Sequence, residues 1–351
     1  MASMAQAIRL ALHYAEENLG VTDVFGEDVG PPLGGVFTAT QGLKTAWNSP
    51  LDERGIIGCA VGLALAGQRP VAEIQFCDYI YNTIDLLKLA GNTCWASNGD
   101  WNVPMVVRTP VGSGIRGSIY HSHSFDATMT HIPGWKIVMP STPLDAYGLL
   151  LSACQDQNPV MVLEPKALLR MKGEELIPGE PGDDRVLSKM IDAPLGDRTQ
   201  WKPQWPEVQA YTVPIGKGKL VRPGTDLTVV TYGRMLPLSI KAAQALEAEG
   251  ISAEVIDLRS LWPYDWEMIR ESVKKTGRAL FVNEDTEVTN FGEHLLRRTV
   301  EELFYGLLAP PRLLAGKFVP GIGLADPLEM ASVPQLSDVT EAIRALAREQ
   351  P

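Results

Sequence analysis

Apolar positions along this chain fall into short blocks of two periods. Ile8, Leu12 and Tyr14 or Ala15 share one face over residues 5–18, the spacing of an amphipathic helix. Val21–Phe25 is a brief apolar run that opens into Gly26-Glu27-Asp28-Val29-Gly30, a strand followed by a polar turn. The same reading predicts helix over 53–67, strand over 70–76 and helix over 79–92. Buried strands follow at Val103–Thr109 and Trp135–Met139, a helix at Leu144–Gln155, and a strand at Val160–Glu164. Strands alternating with helices predict a mostly parallel sheet flanked by helices on both faces.

The period is lost between 173 and about 210, where Pro, Gly, Asp and Trp accumulate; such a stretch reads as a linker or insertion. A second alternating unit starts near Gly216. Its strands are Leu227–Thr231, Ala253–Leu258 and Ala279–Val282, and its helices Leu236–Glu249, Phe291–Phe304 and Leu336–Arg348. The expected architecture is α/β with two domains, 1–175 and 213–351, separated by a linker over 176–212. No short-period repeat or low-complexity tract interrupts them.

Composition narrows the partners more than the chemistry. The chain has 351 residues, long enough for two cores. A net charge of −11 argues against nucleic acid, because phosphate binding needs a basic face. The four cysteines, Cys59, Cys77, Cys94 and Cys154, lack Cys-x-x-Cys spacing and read as buried reduced thiols. The longest apolar run, 56–66, is too short for a bilayer. The N-terminal residues lead directly into the first helix, so the cytoplasm is the expected compartment.

Candidate chemistry starts at Glu53. This carboxylate precedes a glycine-studded apolar segment, 55–66. Partial desolvation there would raise its pKa and suit it to share a proton with a ring nitrogen. The plainer alternative is that Asp52 or Glu53 caps a helix. Tyr79 offers an apolar ring with a polar tip, fit for the wall of an aromatic ligand's site or for core packing. His121 and His123 follow a loop, Gly112-Ser-Gly-Ile-Arg-Gly117. They could move protons, or bind a metal if a third ligand existed, which the spacing does not supply. That loop fits G-x-G-x-x-G formally but fails as a dinucleotide site: no regular helix is expected after it, and no acid follows at the required distance. Asp156 and Asn158 before Pro159 could simply end a helix. Asp257 and Arg259 before Pro263 read as a buried pair fixing a turn.

Several motifs recur in a fixed order: Leu51-Asp52-Glu53, Glu73-Ile-Gln-Phe76-Cys-Asp78-Tyr79-Ile, Tyr120-His121-Ser-His123-Ser, His131-Ile-Pro-Gly134, Asp156-Gln-Asn158-Pro, Leu163-Glu-Pro-Lys166 and Asp257-Leu-Arg259. In that order the chain resembles the β subunit of the thiamine-diphosphate-dependent 2-oxo acid dehydrogenase E1 component, most like the branched-chain (2-oxoisovalerate) type. The resemblance spans nearly the whole chain. It implies a transketolase-like pyrimidine-binding domain followed by a transketolase C-terminal-like domain. Glu53 would meet the aminopyrimidine of thiamine diphosphate, and Tyr79 would contact that cofactor. His121 would assist acyl transfer to the lipoyl group of an E2 protein, and His131 would orient the loop. His123 stands where the family usually has glutamine and is given no role. Glu27 and Asp28 would lie near a subunit interface. Asp156 and Asn158, with the carbonyls of Val103, Met105, Val106 and Ala153, would hold a structural potassium ion. No Gly-Asp-Gly occurs in the chain, so the magnesium diphosphate would be held by a separate α subunit in an α2β2 heterotetramer. A branched-chain 2-oxo acid, 3-methyl-2-oxobutanoate, is the implied substrate. Pyruvate or acetoin is the alternative within the class, and a non-catalytic transketolase-like scaffold the alternative outside it. Departures from the family pattern fall at Leu51-Asp52, at Gly316–Gly323 and in the long linker.

Overall fold

The computed structural model describes residues 1–350 apart from Leu195, Asp197 and Thr199. The chain divides into two compact units: Met1–Pro110, His131–Glu164 and Leu168–Ile215 form the first; Val111–Thr130, Pro165–Ala167 and the chain from Gly216 onward form the second.

The first unit is built on six strands, β1 (Asp23–Gly26), β2 (Ala46–Asn48), β3 (Pro70–Glu73), β4 (Val106–Val111), β5 (Lys136–Val138) and β6 (Val160–Pro165), in the order β5-β6-β4-β3-β1-β2. The β1–β2, β1–β3, β3–β4 and β5–β6 pairs are parallel. Every residue of β3, β4 and β6 is buried, which explains their mostly apolar composition. Their three charged residues meet one another. Arg108 on β4 donates to both oxygens of Glu164 on β6 at 2.8 Å and also binds Glu73 on β3. Burial disfavours the Arg108 charge, but the two glutamates more than offset it and hold its pKa above the usual value. Glu73 also accepts the Val36 N–H at 2.8 Å, so the triad anchors the 34–40 loop.

Helices α1 (Met4–Asn18), α2 (Glu53–Leu65) and α3 (Ile84–Ala96) cover this sheet. In α1 a capping box between Ser3 and Gln6 closes the first turn. A 3₁₀ stretch, Cys77–Thr83, occupies the start of the segment read as helix from 79, and α3 begins only at Ile84. Likewise β4 begins at Val106 rather than Val103. Beyond α4 (Ser118–His121) and α5 (Asp126–Thr130) of the second unit comes α6 (Pro143–Gln155), whose leucines join α1 in the main core.

The segment 176–212 is not a bare linker. It carries α7 (Asp184–Ile191), and Ile177, Leu187 and Ile191 enter the first unit's core. Arg9, buried in α1, donates to the Ile191 carbonyl at 2.6 Å and to Asp192 at 2.8 Å, and the Tyr147 hydroxyl donates to the Gln209 carbonyl at 2.9 Å.

The second unit holds β7 (Lys219–Arg222), β8 (Leu227–Thr231), β9 (Ala253–Asp257), β10 (Ser260–Trp262), β11 (Ala279–Thr286) and β12 (Arg312–Gly316). Five of them form a sheet in the order β12-β11-β8-β9-β7, parallel except for the edge strand β7. Helices α8 (Met235–Leu246), α9 (Trp266–Thr276), α10 (Phe291–Leu303), α11 (Asp326–Ser332) and α12 (Leu336–Arg348) complete it. Residues of α8 and α12 pack on β8 and β9. At the β9 turn the Arg259 N–H donates to Asp257 at 3.1 Å, and the guanidinium binds the Lys217 and Gly218 carbonyls. None of the described helices is long and apolar enough to cross a membrane. Of the four cysteines only Cys77 and Cys154 are buried; Cys59 is exposed, because it lies on the outer face of α2.

Candidate active site

Glu53 is the first residue of α2, and Asp52 is its N-cap in extended conformation. Asp52 makes no side-chain capping bond, so capping does not account for this acidic pair. Glu53 is half-buried and accepts a hydrogen bond from Asn82 Nδ2 at 3.3 Å. Arg54, one residue on, fixes the same junction: it binds the Asn82 carbonyl at 2.8 Å and Asp85 at 2.5 Å. The head of α2 is thus tied to the 3₁₀ stretch that carries Tyr79.

Tyr79 is half-buried and meets the Phe76 ring edge-on at 6.0 Å between centroids. Its hydroxyl pKa is raised by burial first, then by Asp78, Glu27 and Glu53. Glu27, just past the end of β1, is raised by burial and by Asp28 and Glu53. Gln75 steadies this turn by donating to the Glu27 carbonyl at 3.3 Å. Glu27, Asp28, Glu53, Asp78 and Tyr79 therefore share one electrostatic environment beyond the carboxyl ends of β1 and β3, where parallel sheets place ligands. Carboxylates beside aromatic rings suit a flat heterocycle with amino and ring-nitrogen groups: the rings offer faces and the acids accept or share N–H protons. Phe76 and Asn82 escape the sequence reading. Phe76 lies inside the motif that runs from Glu73 to Ile80, while nothing local marks Asn82.

His121 ends the one-turn helix α4. A helix does therefore follow the glycine loop, but a single turn offers no dinucleotide site. The loop is closed by the Gly112 N–H donating to the His123 carbonyl at 2.8 Å. Gly117 must be small, since a Cβ there would lie 2.7 Å from His121 Cβ. Carboxylates tie the loop down: Ser113 donates to Glu284 through N–H (3.2 Å) and hydroxyl (2.9 Å), and Gly114 N–H donates to Glu329 at 2.7 Å. His123 is exposed; burial raises the Asp285 carboxyl, opposed first by the hydrogen bonds it accepts from the Ala127 and Thr286 N–H groups. Glu53, Tyr79 and the exposed His131 belong to the first unit, His121 and His123 to the second.

The oxygen set suggested for potassium lies within the first unit. Pairing of the Val160 N–H with the Met105 carbonyl (3.1 Å) brings Met105 beside the Asp156–Asn158 turn. The Val103 carbonyl accepts from Met105 at 2.8 Å and the Ala153 carbonyl from Asp156 at 3.2 Å; each keeps a second lone pair. Val106 begins β4. Asp156 Oδ1 accepts the Asn158 N–H at 3.0 Å, and Oδ2 meets the Lys136 ammonium. Asn158 Oδ1 is buried without a hydrogen-bond partner among the described residues. An orphaned amide oxygen near spare carbonyl lone pairs fits a hard cation, although Lys136 already places a positive charge on Asp156.

Comparison with known proteins decides the family. Residues 1–172 match the transketolase pyrimidine binding domain and residues 216–339 the transketolase C-terminal domain. The 2-oxoisovalerate dehydrogenase subunit beta of Bacillus subtilis is 38% identical, covering 98% of this chain and 98% of its own. The chain belongs to the family of 2-oxo acid dehydrogenase E1 β subunits. The Pseudomonas aeruginosa 2-oxoisovalerate dehydrogenase subunit beta is 41% identical over 90% of this β subunit and 87% of its own length. The Acholeplasma laidlawii pyruvate dehydrogenase E1 component subunit beta is 38% identical over 99% of both. A solved split-gene transketolase, an inactive β4 tetramer, shares the fold at a TM-score of 0.74 and 19% identity, covering 100% of both chains.

Proposed function

We propose that this β subunit, with a separate α subunit, forms the active site of a branched-chain 2-oxo acid dehydrogenase. It would act on 3-methyl-2-oxobutanoate and pass the acyl group to the lipoyl group of an E2 protein. The observation that carries the reading is Glu53, held half-buried by Asn82 inside an acidic, aromatic-lined turn that also contains Tyr79. Thiamine diphosphate, when bound, supplies the nucleophile and the electron sink for decarboxylation. Glu53 would hold a proton against the aminopyrimidine ring nitrogen, and Tyr79 would flank that ring. His121 would exchange a proton with the acyl acceptor. The α subunit would hold the diphosphate and its magnesium, because no Gly-Asp-Gly occurs in this chain. Potassium would sit at Asp156 and Asn158 as a structural ion. An α2β2 assembly in the cytoplasm is the setting we favour; an Arabidopsis relative carries the word mitochondrial in its name.

Reconstitution with a candidate α subunit tests this directly. The mixture should release carbon dioxide from 3-methyl-2-oxobutanoate only with both chains and thiamine diphosphate present. A Glu53→Gln mixture should assemble and stay inactive. A complex that turns over pyruvate and ignores the branched acid would transfer the reading to the pyruvate type, which relatives at comparable identity make the specific rival.

A further inference from the structure

The segment carrying His121 hangs at both ends from neighbouring residues of one strand. Its upstream end, Ser113, is held by Glu284 (2.9 and 3.2 Å). Its downstream end, the Ala127 N–H in the first turn of α5, is held by Asp285 at 3.1 Å. Successive side chains of a regular strand point to opposite faces. The register of β11 against β12 shifts between Val282 and Thr286, and such a bulge frees adjacent residues from that alternation.

Asp126, five residues beyond His121, opens α5 and is only 1% exposed. Its Oδ2 accepts from the Tyr232 hydroxyl at 2.9 Å. Its Oδ1 is sealed and takes no hydrogen bond from any other described residue. Asp285, 5% exposed, acts on it from β11. The titratable groups around Asp126 are thus Tyr232 past β8, Asp285 and Glu284 on β11, and His123 upstream; Arg234 lies 3.6 Å from Glu284. Burial and then Asp285 hold the Asp126 carboxyl well above the ordinary range, and burial raises Asp285 as well. Two buried carboxyls so placed cannot both ionise cheaply.

We infer that Asp126 and Asp285 are a positioning pair: the sealed Asp126 carboxyl, held by Tyr232, and the Asp285 carboxyl that takes the Ala127 N–H together clamp the start of α5 to β11 as long as they are not both ionised, and so fix the segment that presents His121. This rests on the proposed role of His121 in acyl transfer. A carboxyl whose folded pKa is raised stabilises the fold at low pH and loses that contribution as pH rises through the folded pKa. Full ionisation puts a second negative charge into the contact, and the clamp opens on the alkaline side.

The test is the pH profile of lipoyl acylation by the reconstituted complex, with protection of residues 112–130 against hydrogen exchange measured across the same range. The wild type should lose kcat on the alkaline side with little change in KM for the 2-oxo acid, and protection of 112–130 should fall over the same interval. Asp126→Ala should lower kcat at every pH. Asp126→Asn, which keeps the shape without the charge, should restore most of it and move the alkaline limb up by about one pH unit or more. Asp285→Asn should move it the same way and carries the test if Asp126→Asn does not fold. Unmoved alkaline limbs in the Asn variants, with pH-independent protection in the wild type, would overturn the inference. A complex that turns over no 2-oxo acid would sink the proposed function instead, and the exchange data would still judge the clamp.

Discussion

A carboxylate at a helix N-terminus ordinarily serves the helix dipole, and Glu53 occupies such a place. Its surroundings argue for more: Asn82 holds it, and Glu27 and Tyr79 both register its charge. Glu53→Gln keeps the Asn82 contact while removing the acid. It is expected to cut kcat by about 10²–10⁴, the usual worth of a positioned proton donor, without changing the assembled mass. Activity within about threefold of wild type would remove Glu53 from the chemistry. Arg108 poses the opposite case, a charge with no proposed chemical task. Arg108→Met would leave Glu73 and Glu164 buried without their counter-charge and should cost about 3–5 kcal/mol, read as a lower urea midpoint. Glu53 and Tyr79 stand out in the sequence because both lie in recognisable motifs. Asn82 does not, because its role exists only once the 3₁₀ stretch folds back on the head of α2.

Among the elements, most long periodic segments match the sequence pattern, and α12 matches it to the residue over Leu336–Arg348. The unread elements are short or strongly polar. Strand β12 has five residues at a sheet edge. Helix α9 carries five charged residues in eleven, although Asp265 at its N-cap and Gly277 in left-handed conformation at its C-cap are ordinary boundary signals. Helix α7 hides in the aperiodic stretch because eight residues give too few turns to show a period. Leu187→Ala tests whether that stretch is integral. It should cost about 2–5 kcal/mol, whereas a free linker would tolerate it with no change in melting temperature. The glycine of His131-Ile-Pro-Gly134 also has an element-level cause: Gly134 has φ +96°, and a Cβ there would lie 1.8 Å from the Gly91 carbonyl of α3. Gly134→Ala should force that crossing apart, at a cost of at least about 2 kcal/mol by thermal unfolding.

For the whole molecule, the ion proposed at Asn158 makes stability depend on which salt is present. Replacing tetramethylammonium chloride with potassium chloride at equal ionic strength should raise the melting temperature, as a ligand of the native state does. Asn158→Ala should abolish that increment. Equal melting temperatures in both salts would show that the Lys136 ammonium already neutralises Asp156. The sequence by itself determined the alternation of strands and helices, because a sheet buried on both faces demands unbroken apolar strands and one-sided helices. It also determined the family, through the order of its motifs. Tertiary structure alone decided which groups meet. Arg108 lies 56 residues from Glu164, and Ser113 lies 171 residues from Glu284. No local period encodes such pairings; the parallel sheet order and the β11 bulge bring them together, and the same packing sets which carboxyls are sealed from water.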